Sequence, residues 1–152
     1  MTDNQTEATA PNRRVTGIGR LLIAVYGLLA LAATGRSFVQ IAQTFDEAPL
    51  SYSLSALAAV VYLVATVALT RRSPVWYRVA WITIGFEMVG VLSVGALSLI
   101  YPELFQHKTV WSVFGRGYGF VPLVLPILGM WWLARHPARS VAPRVHTAAI
   151  PS

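Results

Sequence analysis

Residues 79–101 read VAWITIGFEMVGVLSVGALSLIY and carry one charged side chain, Glu87. A helix needs about 20 mainly apolar residues to cross a hydrocarbon core about 30 Å thick. The stretch has that length, and a helix satisfies its own backbone hydrogen bonds in lipid, where water is absent. We therefore predict a transmembrane helix over residues 79–101.

Three other apolar runs have similar length and composition, at residues 18–41, 54–70 and 118–134. Together the four runs predict an all-α, polytopic membrane protein whose transmembrane domain covers residues 17–136. Short connections make consecutive helices antiparallel neighbours in a four-helix bundle. The polar ends, residues 1–16 and 137–152, lack periodicity and are predicted to be disordered tails.

The composition of the whole chain agrees with a membrane protein. Of its 152 residues 55% are hydrophobic and 12% are charged, whereas soluble domains carry about 25% charged residues. The chain has no cysteine, which excludes disulfides, thiolate nucleophiles and cysteine-ligated metals. Three scattered histidines do not suggest a metal site, and we expect no cofactor.

The basic residues indicate an orientation in the membrane. Most of them flank the apolar runs on one side, and a mixed set occupies the two connections on the other side. We therefore predict a multi-pass protein of the bacterial cytoplasmic (plasma) membrane with both termini in the cytoplasm, and no nucleic-acid binding despite the net charge of +6. The cytoplasmic group is Arg13, Arg14, Arg20, Arg71, Arg72, Arg78, Arg135, Arg139 and Arg144, and the opposite group is Asp46, Glu47, Glu103, Lys108 and Arg116.

Two further features belong to this topology. Aromatic residues, among them Trp111, Tyr101 and Tyr118, are predicted to form interfacial belts at both membrane boundaries. A cleaved signal peptide is the alternative for the first run, because arginines precede it and it contains Ala30-Leu31-Ala32, which resembles a cleavage site. That run continues to Ile41, which is too long for the apolar part of a signal peptide.

Two stretches resemble a known group of proteins. Residues 35–69, GRSFVQIAQTFDEAPLSYSLSALAAVVYLVATVAL, and residues 109–133, TVWSVFGRGYGFVPLVLPILGMWWL, are similar to small integral membrane proteins of actinobacteria. The resemblance covers most of the chain apart from the tails. It implies a four-span membrane fold, and it brings no activity, substrate or site residue.

Glu87 is the most informative residue of the chain. It lies nine residues after Arg78, or about 13 Å into the membrane, where a charge costs at least about 2.5–3.5 kcal/mol. Such a carboxyl group should be protonated unless a partner or water reaches it. Three hypotheses follow: a structural hydrogen bond between helices, a proton-binding or cation-binding site of a transporter, or a contact with the helix of a partner protein.

Neighbours of Glu87 can be predicted by depth. Tyr62 lies nine residues before Arg71, so its hydroxyl can form a hydrogen bond with Glu87. Pro126 has no N–H and leaves the carbonyl of Pro122 without its helical donor, which a protonated Glu87 could supply. Both prolines are predicted to kink the fourth helix.

Arg36 lies about 24 Å beyond Arg20 along the first helix, near the outer boundary. We expect its side chain to reach the outer headgroups or to pair with Asp46 and Glu47. The alternative is a water-assisted link to Glu87.

Glycines and a short motif mark the second half of the chain. In Phe114–Phe120, FGRGYGF, the alternate glycines predict a bent entry into the fourth helix, because a phosphate-binding loop would need a preceding strand. Gly85, Gly90 and Gly95 predict close packing of the third helix against several neighbours. Residues 102–105 predict a short surface helix that begins at a proline.

These observations predict a non-enzymatic accessory, scaffold or assembly protein of the membrane. Its partners would be the lipid bilayer and other membrane proteins or further copies of itself. The alternative is a small proton-coupled transporter or permeation unit that uses Glu87, with Tyr62 and Arg36 as helpers. An enzyme is disfavoured because the titratable residues do not converge at one depth.

Overall fold

A computed structural model describes residues 17–71, 73–105 and 107–137 of the chain. This part is helical and contains no β-strand. Its four α-helices are α1 (Gly17–Thr44), α2 (Pro49–Thr70), α3 (Pro74–Ile100) and α4 (Val121–Arg135). Both predicted tails, apart from Pro137, lie outside the described residues.

Three helices, α1, α2 and α3, are long and apolar enough to cross a membrane. A fourth crossing is possible if α4 is taken with the short turns at Ser112–Tyr118, to which it is joined at a bend of 99°. The predicted all-helical fold is therefore confirmed for the described residues, and three to four segments are long and apolar enough to cross a membrane.

Helices α2 and α3 begin about five residues earlier than the apolar runs because local signals start them. Pro49 occupies the first turn of α2, and Pro74 occupies the first turn of α3, positions at which the missing N–H costs nothing. The Ser73 hydroxyl accepts a hydrogen bond from the N–H of Val75 across 3.4 Å and caps α3. Polar residues thus extend both helices beyond their apolar centres.

The fourth helix is shorter than predicted. Gly119 and Phe120 have φ values of 62° and 61°, and this left-handed backbone ends one helix before α4 begins at Val121. The bent entry predicted from the alternating glycines is therefore present. Pro122 starts α4, and Pro126 lies within it, so the sharp bend precedes both prolines and Pro122 is not a kink inside a helix.

The helices contact one another in the pairs α1–α2, α2–α3, α3–α4 and α1–α4. Helix α1 lies closely along α2, where Ala30, Ala33, Ala58 and Ala65 are buried. Small side chains let two helix backbones approach, as is usual in membrane proteins. Large apolar side chains point outward instead, such as Leu31 with 73% of its surface exposed.

Contacts between the connections define two ends of the bundle. At the loop end, Glu47 from the α1–α2 connection lies 3.8 Å from the His107 imidazole in the α3–α4 connection. At the other end, the Tyr77 hydroxyl at the start of α3 donates a hydrogen bond to the Leu133 carbonyl near the end of α4, across 3.1 Å. The predicted short helix is present at the loop end, at Pro102–Phe105.

Residues 109–120, which we call the plug segment, enter the bundle from the loop end. Val110, Trp111 and Ser112 are buried, and Trp111 is 1% exposed. The hydroxyls of Thr109 and Ser112 hold the turn, since each accepts a backbone N–H of the other residue, at 3.0 and 2.9 Å. The segment therefore fills the interior above the middle of α3.

Candidate functional site

The carboxyl group of Glu87 is enclosed by the bundle. Its side chain has 0% exposure, and the Tyr26 hydroxyl on α1 donates a hydrogen bond to Glu87 Oε2 across 2.7 Å. Tyr26 is also 0% exposed. Because the helices of this chain enclose the carboxyl, the hypothesis that Glu87 contacts a partner's helix is wrong.

A second polar pair lies beside the first. The indole N–H of Trp111 in the plug segment donates a hydrogen bond to the Tyr62 hydroxyl on α2 across 3.0 Å. The Tyr62 and Tyr26 rings are in contact, with centroids 6.2 Å apart. The polar core thus draws one residue from each of α1, α2, α3 and the plug segment.

Helix α4 closes the remaining side through a glycine. A Cβ placed on Gly129 would lie 3.1 Å from Ile84 Cδ1 and 3.5 Å from the Tyr26 hydroxyl. Ile84 lies one turn before Glu87 on α3 and is also 0% exposed. The absence of a side chain at Gly129 therefore lets α4 approach the Tyr26–Glu87 hydrogen bond.

The second carboxyl oxygen of Glu87 has no hydrogen-bond partner within the described residues. Glu87 Oε1 is buried, and the ion pair found in the described part of the chain does not involve Glu87. A buried ionised carboxylate needs a cation or several donors. In the described residues the carboxyl group accepts one hydrogen bond, from Tyr26, and takes part in no ion pair.

The predicted hydrogen bond between Tyr62 and Glu87 was wrong. Tyr62 lies in the polar core, yet its hydroxyl accepts from Trp111, and the donor to Glu87 is Tyr26. Depth along a helix does not determine which face of the helix a side chain occupies. In the structure Tyr26 lies on the buried side of α1, one turn from Leu22 and from Ala30. Because the exposed side of α1 is also apolar, no sequence pattern distinguishes Tyr26.

The predicted hydrogen bond between Glu87 and the Pro122 carbonyl is not formed. Glu87 Oε1 has no partner among the described atoms. The ring of Pro122 instead packs against Gly115, where an added Cβ would lie 2.7 Å from it. Pro122 and Pro126 are both fully buried, so they shape the interior around the site without binding the carboxyl.

Arg36 lies apart from the site. Its guanidinium is exposed and donates a hydrogen bond through Nη2 to the Lys108 carbonyl across 3.0 Å. It pairs with neither Asp46 nor Glu47, and it does not bind Glu87. The Lys108 carbonyl lies at the same end of the bundle as Arg36. This hydrogen bond therefore joins the α3–α4 connection to α1.

The predicted place of Trp111 in an interfacial belt was wrong. Its ring lies on α3 at Gly90, where an added Cβ would be 2.8 Å from the indole. The next ring of the plug segment, Phe114, occupies the corresponding position at Gly95, with 2.5 Å to an added Cβ. Both glycines therefore receive rings from one segment, and Gly85 has nothing within 4 Å.

Metal binding finds no support in the described residues, which contain no group of three His, Asp or Glu side chains able to hold an ion. His107 lies near Glu47 and Tyr52 at the loop end. His136 stacks on Trp132 with ring centroids 4.8 Å apart. His146 lies outside the described residues.

Comparisons of the chain with protein-family models, curated proteins and solved structures gave no significant match. The resemblance to small actinobacterial membrane proteins stays a prediction. The function must therefore be inferred from the geometry of the polar core.

Proposed function

We propose that the protein is a non-enzymatic accessory, scaffold or assembly protein of the bacterial cytoplasmic membrane. The Tyr26–Glu87 hydrogen bond carries this proposal. A carboxyl group is costly inside a bilayer, and here it joins α3 to α1 within an interior that has no exposure at either residue. Such a bond, worth about 0.6–1.7 kcal/mol in membrane proteins, stabilises a defined helix arrangement.

The proposed topology is an antiparallel bundle of four spans with both termini in the cytoplasm. Arg71 and Arg78 flank the α2–α3 connection, and Arg135 ends α4, at the end of the bundle where Tyr77 contacts Leu133. An excess of arginine near membrane boundaries favours the cytoplasmic side. Reporter fusions at Asp46 test this topology, and a cytoplasmic signal there would overturn it.

An accessory protein should be isolated together with its partners. We expect affinity purification after gentle solubilisation to recover the same membrane proteins, or further copies of the chain, in constant ratio. Repeated recovery of a monomer alone would contradict the proposal.

A crosslinking experiment makes the same test in the intact membrane. An apolar groove of about 310 Å³ lies between α1 and α4, lined in part by Val25, Val124 and Leu128. A photoreactive residue at position 128 reports contacts in this groove, and one at Ile82, which is 73% exposed on α3, reports contacts on a second surface. A scaffold should give discrete protein adducts at one position, whereas lipid adducts alone at both would oppose the proposal.

A second candidate function is favoured by the unpartnered oxygen of Glu87. A buried carboxyl group with one free oxygen can bind and release a proton, as in a small proton-coupled transporter or permeation unit. We expect Glu87→Gln to abolish proton flux into liposomes that contain the protein. Glu103→Gln is the matched control, because Glu103 is exposed at the loop end; unchanged flux in Glu87→Gln would remove this candidate.

A further inference from the structure

We propose that the plug segment is a lid over Glu87, held shut by the hydrogen bond between Trp111 and Tyr62, and that its displacement opens Glu87 to the loop end. The inference rests on the second candidate function for its purpose, since a proton carrier needs a route to its carboxyl group. Its test measures access to the site and does not depend on transport.

The position of Trp111 supports a covering role. Gly90, against which the indole packs, lies one turn beyond Glu87 toward the loop end of α3. Val91, which follows Gly90 and also lies on the loop side of Glu87, is 0% exposed. The ring of Trp111 and its neighbours thus separate Glu87 from the loop end.

The backbone of the plug segment supports mobility. Val113, Phe114 and Phe120 have φ values of 50°, 58° and 61°. Residues with side chains rarely adopt this left-handed region, and the β-branched Val113 is the least suited to it. Strained backbone persists where surrounding contacts enforce it and clusters at clamps and switches.

Contacts with α2 and α3 enforce this strained conformation. The N–H of Val113 donates a hydrogen bond to the Ser98 hydroxyl on α3 across 2.7 Å, and Phe114 packs against Gly95. Together with the Trp111–Tyr62 hydrogen bond, these contacts tie the segment to α2 and α3. Releasing them would let the backbone relax to ordinary φ values, which favours displacement.

A pivot is present at the far end of the segment. The chain bends by 99° between Tyr118 and Val121, and Gly119 has a φ of 62° with nothing within 4 Å of an added Cβ. Glycine tolerates large changes of φ. Residues 109–118 of the plug segment can therefore move about Gly119 while α4 stays against α1 and α3.

Cysteine labelling tests the lid directly, because the natural chain has no cysteine. Val91→Cys provides a buried reporter on the loop side of Glu87, and a membrane-impermeant methanethiosulfonate reagent is added to intact cells and, separately, to inverted vesicles. Leu104→Cys, 55% exposed at the loop end, identifies the side from which the reagent reaches that end. Ala80→Cys, 1% exposed near the other end of α3, is the reporter that should not respond.

We expect Trp111→Phe, which keeps a ring and removes the N–H donor, to accelerate labelling of Val91→Cys by about 3- to 20-fold from the loop side, as expected for the loss of one membrane hydrogen bond. Tyr62→Phe should do the same, since it removes the acceptor. Unchanged rates in both variants would overturn the lid. Equal acceleration at Ala80→Cys would also overturn it, because the bundle would then have loosened as a whole.

The two proposals can fail separately. If proton flux is unchanged in Glu87→Gln but labelling still depends on Trp111, the lid stands and the transport candidate is wrong. If proton flux requires Glu87 but the labelling rate is unchanged in Trp111→Phe and Tyr62→Phe, the lid is wrong and the transport candidate stands.

Discussion

The Tyr26 hydroxyl on α1 donates a hydrogen bond to Glu87 Oε2 on α3 across 2.7 Å. The helices in contact form the cycle α1–α2, α2–α3, α3–α4 and α4–α1, so this hydrogen bond crosses the middle of the bundle. It joins α1 to α3, which are not adjacent in this cycle. Changes to the side chains of this interior should therefore alter the stability of the protein.

Removing the Tyr26 hydroxyl should destabilise the bundle. Tyr26→Phe keeps the ring and deletes the donor, so we expect a loss of about 0.6–1.7 kcal/mol, the usual range for hydrogen bonds between membrane helices. Thermal unfolding in detergent measures the change. Tyr101→Phe is the control, because Tyr101 is 48% exposed; equal melting temperatures for both variants would contradict the role of the bond.

Glu87 should tolerate glutamine better than leucine. Glutamine retains a carbonyl oxygen that accepts from Tyr26, whereas leucine leaves a buried hydroxyl without an acceptor, which costs about 1–3 kcal/mol. We expect near-wild-type melting for Glu87→Gln and a lower melting temperature for Glu87→Leu. The double variant Tyr26→Phe with Glu87→Leu should lose less than the sum of the single losses, and strict additivity would show that the residues do not interact.

Gly90→Ala should destabilise the protein, whereas Gly85→Ala should be tolerated. An added Cβ at Gly90 would meet the Trp111 ring at 2.8 Å, and overpacking of this kind costs about 1–3 kcal/mol. Gly85→Ala, on the same helix with nothing within 4 Å, should be neutral or stabilising, because alanine favours helices by about 1 kcal/mol over glycine. Thermal unfolding and near-ultraviolet circular dichroism of the tryptophans measure both, and a similar response from the two variants would argue against a buried Trp111.

Gly115 and Gly117 offer a second matched pair. Gly115 has a φ of 76° and packs against the Pro122 ring, whereas Gly117 has open space around it. Gly115→Ala should therefore lower the melting temperature well below that of Gly117→Ala, since it adds backbone strain to a steric clash. If Gly117→Ala proves the more harmful, the described path of the plug segment is incorrect.

The membrane fold could be predicted from sequence because apolar length is a local property. Residues 79–101 alone satisfy the requirement for a spanning helix, and α3 covers nearly all of them. Glu87 could be found for the same reason, since its depth follows from a count of residues. Its partner could not, because two tyrosines lie at similar depth and only packing determines which of them faces the carboxyl.

The plug segment could not be predicted because its conformation opposes local preference. Valine at position 113 disfavours a φ of 50°, and an aromatic residue such as Trp111 is expected at a membrane boundary. Contacts with distant residues, Ser98 and Gly95 on α3, hold the segment in place. Such contacts follow from tertiary packing, which the local sequence pattern does not reveal.

The two ring positions on α3 also restrict the length of the chain that faces them. Trp111 packs at Gly90 and Phe114 packs at Gly95, so the spacing between the rings is matched to the spacing between the glycines. Inserting or deleting one residue at 112–113 would displace one ring whenever the other was in place. The number of residues between Trp111 and Phe114 is therefore fixed by the two glycines of α3 that receive their rings.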